Sequence, residues 1–240
     1  MQDIKDQQAK EKPKNSITIE FPEPGKVRSR KVVTRSKARA TGKFPSLKAN
    51  RMMQWESIHE LNAFRLLEVN PEVKVFQEQP FVIHYVLDGI PYRHYPDIFV
   101  QTQSANEIWE IKPTAEAKRP EVMARTKFLE LALPDHGYKY RVVLGEDLGR
   151  KIRLDNIKAL LDCNRVTITP LVREKIRQIF SNAPTLTIGT LQECLQGEIS
   201  QKEIYRLIIE GDLFCNMETR FSSTTELHHK ANIVHNVNKA

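Results

Sequence analysis

Tyr95-Pro96-Asp97-Ile98-Phe99-Val100 and, after a polar break, Ile108-Trp109-Glu110-Ile111-Lys112 are the two runs whose reading decides the fold. Both are strand-like. Side chains alternate along a strand, so Glu110 and Lys112 leave on one face while Trp109 and Ile111 leave on the other. Glu110 and Lys112 are poor strand formers set beside good ones. Two acids and an ammonium on neighbouring strands are the minimum equipment for holding a divalent metal against a phosphate. The pattern predicts a metal-dependent nuclease centre.

Upstream, Met53, Ser57, Glu60, Phe64 and Leu67 recur at helical spacing, which predicts a helix from Met52 to Glu68. Glu60 then falls at the centre of the face to be buried, and Glu56 borders it. A lone buried carboxylate costs several kcal/mol unless a cation compensates it. A metal shared with Asp97 and Glu110 would be that partner.

After Asn70-Pro71, strands are expected over Val73–Phe76 and Phe81–Val86, with Asp88-Gly89 as a hairpin turn. The returning run from Ile90 to Gln101 carries Pro91 and Pro96, which demote its start to an edge or irregular strand. With Ile108–Lys112 these make an antiparallel meander. Pro120–Leu133 reads as a helix, Tyr140–Leu144 as a buried strand and Arg153–Asp162 as a helix. The order gives an α/β domain: a mixed sheet flanked by helices.

Beyond Pro170 the texture changes. Leu171–Phe180, Thr187–Gln196 and Ser200–Glu210 read as helices, the last with a Ser200/Glu203 capping box and a Gly211 stop. Leu213–Met217 and Arg220–Thr225 are expected to pair as a hairpin, giving a small winged-helix-like C-terminal domain. Residues 184–226 hold three Lys/Arg against seven Asp/Glu. That balance is wrong for a DNA-reading helix and predicts a partner-docking module. Domain bounds are expected at 1–50 for a basic, partly flexible arm, 51–168 for the nuclease domain and 169–240 for the C-terminal domain with a polar tail.

Formal net charge is +7, and residues 1–50, with 13 Lys/Arg against 5 Asp/Glu, hold all of the excess. Arg28, Arg30, Lys31, Arg35, Lys37 and Arg39 in that arm, with Lys118 and Arg119 further on, are candidate DNA-phosphate contacts. Residues 1–24 are polar and proline-bearing, and little fixed structure is expected there. No apolar run approaches the roughly 18 residues of a membrane span, and the polar N-terminus lacks a secretory pattern. Three widely spaced cysteines, Cys163, Cys194 and Cys215, fit reduced thiols. No membrane association is expected, and a cytoplasmic location is.

Glu60, Pro96-Asp97 and Glu110-x-Lys112 together resemble the PD-(D/E)xK nuclease signature, whose restriction-endonuclease-like fold has the same element order. The fuller pattern includes Trp55-Glu56-Ser57-Ile58-His59-Glu60 and Val73-Lys74-Val75-Phe76-Gln77-Glu78-Gln79-Pro80. It continues through Tyr95-Pro96-Asp97-Ile98 and Glu110-Ile111-Lys112-Pro113. It is similar to TnsA, the endonuclease subunit of heteromeric TnsA–TnsB transposases. The likeness covers residues 50–145, and 170–226 more loosely.

The resemblance implies cleavage of the 5′ strands at transposon ends beside a TnsB-type transposase. It also implies contact with a TnsC-type AAA+ regulator through the C-terminal domain. It assigns catalysis to Glu60, Asp97, Glu110 and Lys112. Mg2+ or Mn2+ would be held by Glu60, Asp97, Glu110 and the Ile111 carbonyl. A freestanding restriction or repair nuclease of the same fold and a non-catalytic DNA-complex adaptor remain as alternatives. Gln79 lies either near the centre or at a plain strand cap. His59, His84 and His94 show no metal spacing, and Tyr92, Tyr95 and Trp109 are expected to pack in the core.

Overall fold

A computed structural model describes residues 16–29 and 40–232. The first strand is β1 (Ser16–Glu20), where the sequence reading expected little fixed structure. Alternate placement of Ile17 and Ile19 against the aromatic side of the core explains it. Next come β2 (Gly42–Ser46) and β3 (Arg51–Trp55), an antiparallel hairpin that pairs Phe44 with Met53.

The following helix, α1 (Ile58–Val69), is shorter than the expected one and starts six residues later. Met53 is not on it. Ser57 is its N-cap, accepting from Glu60 N at 3.2 Å, so a start signal lay inside the span read as continuous helix. Glu60 therefore sits in the first turn, half-buried, and not at the centre of the buried face. The buried carboxylate of α1 is Glu68.

The sheet strands follow as β4 (Val73–Glu78), β5 (Val82–Leu87), β6 (Ile90–His94), β7 (Ile98–Thr102) and β8 (Asn106–Lys112). They do not form one meander. β4, β7 and β8 are antiparallel neighbours in a four-stranded sheet, whereas β5 and β6 join β1 in a separate three-stranded sheet. The division falls where Gln79-Pro80 faces Pro96-Asp97. Gln79 has a φ of +45° and donates from its backbone N to Asp97 O at 2.9 Å, and neither proline has an N–H to extend the ladder. Asp88 and Gly89, with φ of +53° and +79°, make the tight β5–β6 turn.

The chain continues through the short α2 (Thr114–Ala117) and α3 (Pro120–Ala132) to β9 (Lys139–Leu144). β9 lies parallel to β8 and opposes Val142 to Glu110 and Leu144 to Lys112. α4 (Gly145–Leu148) and α5 (Lys151–Leu161) complete this part. Two cores flank the four-stranded sheet. Trp109 and Ile111 pack with Phe64, Phe76 and Met53 on the α1 side. Ile108 packs with Leu129, Leu133 and Tyr140 on the α3 side. That alternation in β8 places Glu110 and Lys112 toward α3.

The C-terminal unit runs α6 (Pro170–Asn182), β10 (Thr185–Thr187), α7 (Ile188–Cys194), α8 (Gln201–Ile209), β11 (Leu213–Phe214) and β12 (Glu226–His229). Ser200 and Glu203 form the expected capping box on α8, and Gly211 follows it with a φ of +76°. The expected hairpin of Leu213–Met217 with Arg220–Thr225 is not made. β12 lies centrally, between β10 and β11. The intervening segment is held by α5 instead. Asn156 Nδ2 donates to Met217 O and Thr219 O at 3.0 and 2.7 Å, and Phe221 N donates to Asn156 Oδ1 at 3.2 Å. No helix of the described residues is long and apolar enough to cross a membrane.

Candidate active site

The break between the two sheets brings the chemistry together. Asp97 follows Pro96 at the break, and its Oδ2 accepts from Ile111 N at 2.7 Å, which ties β7 to the end of β8. Lys112 Nζ lies 2.8 Å from Glu110 Oε1. A cavity of about 490 Å3 opens at this end of β8, lined by Glu56 and Glu60 from the start of α1 and by Asp97, Ile111 and Lys112. His59 of that lining rests against Gly145, the first residue after β9. A Cβ there would stand 2.5 Å from the His59 ring, so glycine lets the chain leave β9 this close to the first turn of α1.

Glu60 is anchored by local capping. Its Oε2 accepts from Glu56 N at 2.8 Å and its Oε1 from Ser57 Oγ at 3.1 Å. Helix N-termini favour such a negative group. Glu60 still acts on the centre through its charge, which helps to raise Asp97.

Glu110 is almost completely buried and is surrounded by groups from three further elements. His94 Nε2, from the end of β6, lies 3.2 Å from Oε2, at ion-pair distance. Arg125 Nη2, from α3, lies 3.4 Å from Oε1. Tyr140 of β9 places its hydroxyl 3.4 Å from His94 Nε2.

The two acids are driven apart in proton affinity. Burial raises Asp97 well above the usual carboxylate range. The negative charges of Glu110 and Glu60 add to this, and Lys112 and the Ile111 N–H only partly oppose it. Asp97 keeps some surface because it lines the cavity, yet protein packs closely round its carboxyl group. Burial pushes Glu110 upward too, but His94 and Lys112 outweigh it and hold Glu110 at about 2. Burial lowers Lys112, while Glu110 and Asp97 more than compensate and leave it raised. Opposed shifts in adjacent acids are characteristic of working sites.

These oxygens suit a hard cation. The observation that carries the fit is the donor set at the cavity: Asp97, raised by burial and by the charges of Glu110 and Glu60, lines it together with Glu60 and Lys112. Among the described residues no three His, Cys, Asp or Glu side chains gather at metal-holding distance. An ion here would therefore have at most two of these carboxylates, a number that Mg2+ accepts when it keeps several waters.

Other candidates are placed as follows. Arg28 turns inward, its Nη1 3.7 Å from the buried Glu78. Lys118 and Arg119 are exposed where α2 meets α3. Arg30, Lys31, Arg35, Lys37 and Arg39 lie outside the described residues. Gln79 is buried at the strand break, and its carbonyl accepts from Ser29 N and Oγ, both at 3.1 Å. Trp109 is in the core, with its Nε1 on Glu107 at 2.7 Å and Arg141 over its ring.

The sequence reading missed Arg125 and the approach of His94 and Tyr140 to Glu110. For Arg125 a signal existed: Val122, Arg125 and Leu129 share one face of α3, and both flanking residues are buried.

Residues 70–144 match the family model of the TnsA-like endonuclease N terminal. That segment is TnsA-like. The TnsA-like segment contains Asp97, Glu110 and Lys112 and begins just after α1, so Glu60 precedes it. Comparison with curated proteins gives no match.

Proposed function

We propose that this protein is a metal-dependent DNA endonuclease that cleaves the 5′ strands at transposon ends within a cut-and-paste transposase complex. The observation that carries this reading is the meeting of Asp97, Glu110 and Lys112 at one end of β8, beside an open cavity. Asp97, Glu110 and the Ile111 carbonyl would hold Mg2+ or Mn2+. When bound, such an ion supplies Lewis acidity and a water acidic enough to attack a phosphodiester. Lys112 presents a point charge to the scissile phosphate or the attacking water. Glu60 contributes negative potential from the rim of the cavity, with the first turn of α1 fixing its position.

A separate, TnsB-type transposase would choose the ends and cut the other strand. The C-terminal unit supports this division of labour. Its helix–strand–helix–helix–strand–strand order, with β12 central in the sheet, supports a winged-helix-like reading. Yet α8, which occupies the place of a DNA-reading helix, buries Ile204, Tyr205, Leu207, Ile208 and Ile209. Its Arg206 is spent on Glu210 and on Asn164 at the end of α5.

The acidity expected of the unit is local. From Thr169 to Asn232 there are seven Lys/Arg against eight Asp/Glu. Asp212 pairs with both Arg173 and Lys230, and Glu198 with Lys175. Docking of a TnsC-type AAA+ regulator would thus rest on shape and apolar contact more than on net charge.

The test is strand-specific cleavage of transposon-end DNA with magnesium and the partner transposase. Asp97→Ala and Lys112→Ala should each abolish 5′ nicking while complex assembly and 3′ cutting persist. Normal nicking by both variants rejects the assigned centre.

A further inference from the structure

Glu110 is surrounded by more cations than one carboxylate requires. Lys112 and Arg125 approach the same oxygen, Oε1, at 2.8 and 3.4 Å. The two differ in kind. Lys112 lines the cavity and carries a compact charge on a flexible stem. Arg125 is fixed on the buried face of α3, between Val122 and Leu129, and carries a planar, delocalised charge. An arginine on an otherwise apolar stripe needs a partner, and Glu110 is the carboxylate it reaches.

If Lys112 is to serve a phosphate it must turn away from Glu110. Burial makes a carboxylate with no compensating cation costly, so on its own Glu110 would hold Lys112 back. Arg125 removes that obstacle, because it stays beside Oε1 when Lys112 departs. We propose that Arg125 is a positioning residue that holds the Glu110 carboxylate and so frees Lys112 to act at the scissile phosphate. This rests on the nuclease reading given above.

The proposal separates ion binding from turnover. Arg125→Gln takes a positive charge from beside a ligand carboxylate, which should leave affinity for a cation unchanged or raise it by about threefold. The same change leaves Lys112 as the main cation on Glu110 and should lower nicking by about tenfold or more. Arg125→Lys restores the charge and should recover nicking to within about fivefold of wild type.

The experiment uses the full chain, with Mn2+ alone titrated calorimetrically and nicking of transposon-end DNA measured with magnesium and the partner transposase. Slower nicking with undiminished Mn2+ affinity, rescued by Arg125→Lys, supports the proposal. Wild-type nicking by Arg125→Gln overturns it. Parallel loss of Mn2+ affinity, nicking and thermal stability in both variants also overturns it, since that marks a purely structural arginine. Asp97→Ala is the reference: if it nicks as well as wild type, the nuclease reading itself falls, and the inference with it.

Discussion

Glu68 and Glu110 are both almost fully buried carboxylates in the same domain, and their surroundings are opposite. Glu68 accepts from Ser46 Oγ at 2.6 Å, Leu47 N at 2.9 Å, Lys48 N at 3.4 Å and Asn164 Nδ2 at 3.1 Å. It fastens the β2–β3 hairpin and the end of α5 onto α1. Glu78 is similar, with Arg51 paired to both oxygens and Gln54 N at 3.2 Å. Around Glu110 two cations crowd one oxygen and His94 Nε2 lies 3.2 Å from the other, while Asp97 close by is raised by burial and by the charge of Glu110. A carboxylate satisfied on every side is holding the fold. One crowded by Lys112, Arg125 and His94 gathers more positive charge than holding the fold requires.

The comparison would break first on activity. Asp97→Ala and Lys112→Ala should each lower 5′ nicking by about 1000-fold or more, equivalent to about 4 kcal/mol of transition-state stabilisation. Both proteins should remain folded by circular dichroism. Glu68→Ala should do the reverse. Stranding the donors that face Glu68 should lower unfolding free energy by about 3 kcal/mol in urea titration. Whatever protein stays folded should nick at nearly the normal rate.

Acid titration sharpens the contrast. Glu110 is depressed from 4.5 to about 2, so its contribution to stability is complete above 4.5 and is lost as pH falls toward 2. The stability gap between wild type and Glu110→Gln should close over that interval. Asp97 has the opposite sign. Its folded form favours the proton, so ionised Asp97 weakens the fold increasingly as pH rises above 3.8. Asp97→Asn should therefore stabilise the metal-free protein by about 1 kcal/mol at neutral pH while abolishing nicking. The smallest change expected is Arg141→Ala, which removes a cation from over the Trp109 ring. It should cost about 0.5–1 kcal/mol, with nicking unaffected.

Much of the centre was legible because it is carried by local pattern. Alternation in β8 put Glu110 and Lys112 on one face, and Pro96 marked the start of a new strand before Asp97. Only the position of Glu60 along its helix differs from expectation, because helical spacing ran back through Met53 into a segment that the β2–β3 hairpin claims. Ser57, three residues before Glu60, was the local signal that went unused. The split of the expected meander was harder to see. It depends on Gln79-Pro80 and Pro96-Asp97 meeting across two strands, and no single window contains that juxtaposition. Likewise β12 pairs with strands far away in the chain, while the nearer segment expected to form a hairpin is captured by Asn156 of α5.

The packing of α5 has a consequence for how the chain can be divided. Ile157, Leu160 and Cys163 share an apolar cluster with Ile176, Phe180, Leu191 and Ile204 of the C-terminal unit, and Val69 of α1 reaches the same cluster. Ending the chain at residue 168 would leave that ridge facing water, so a shortened fragment should be sticky and prone to self-association. The two halves are better regarded as melting together in a single transition than as beads on a string.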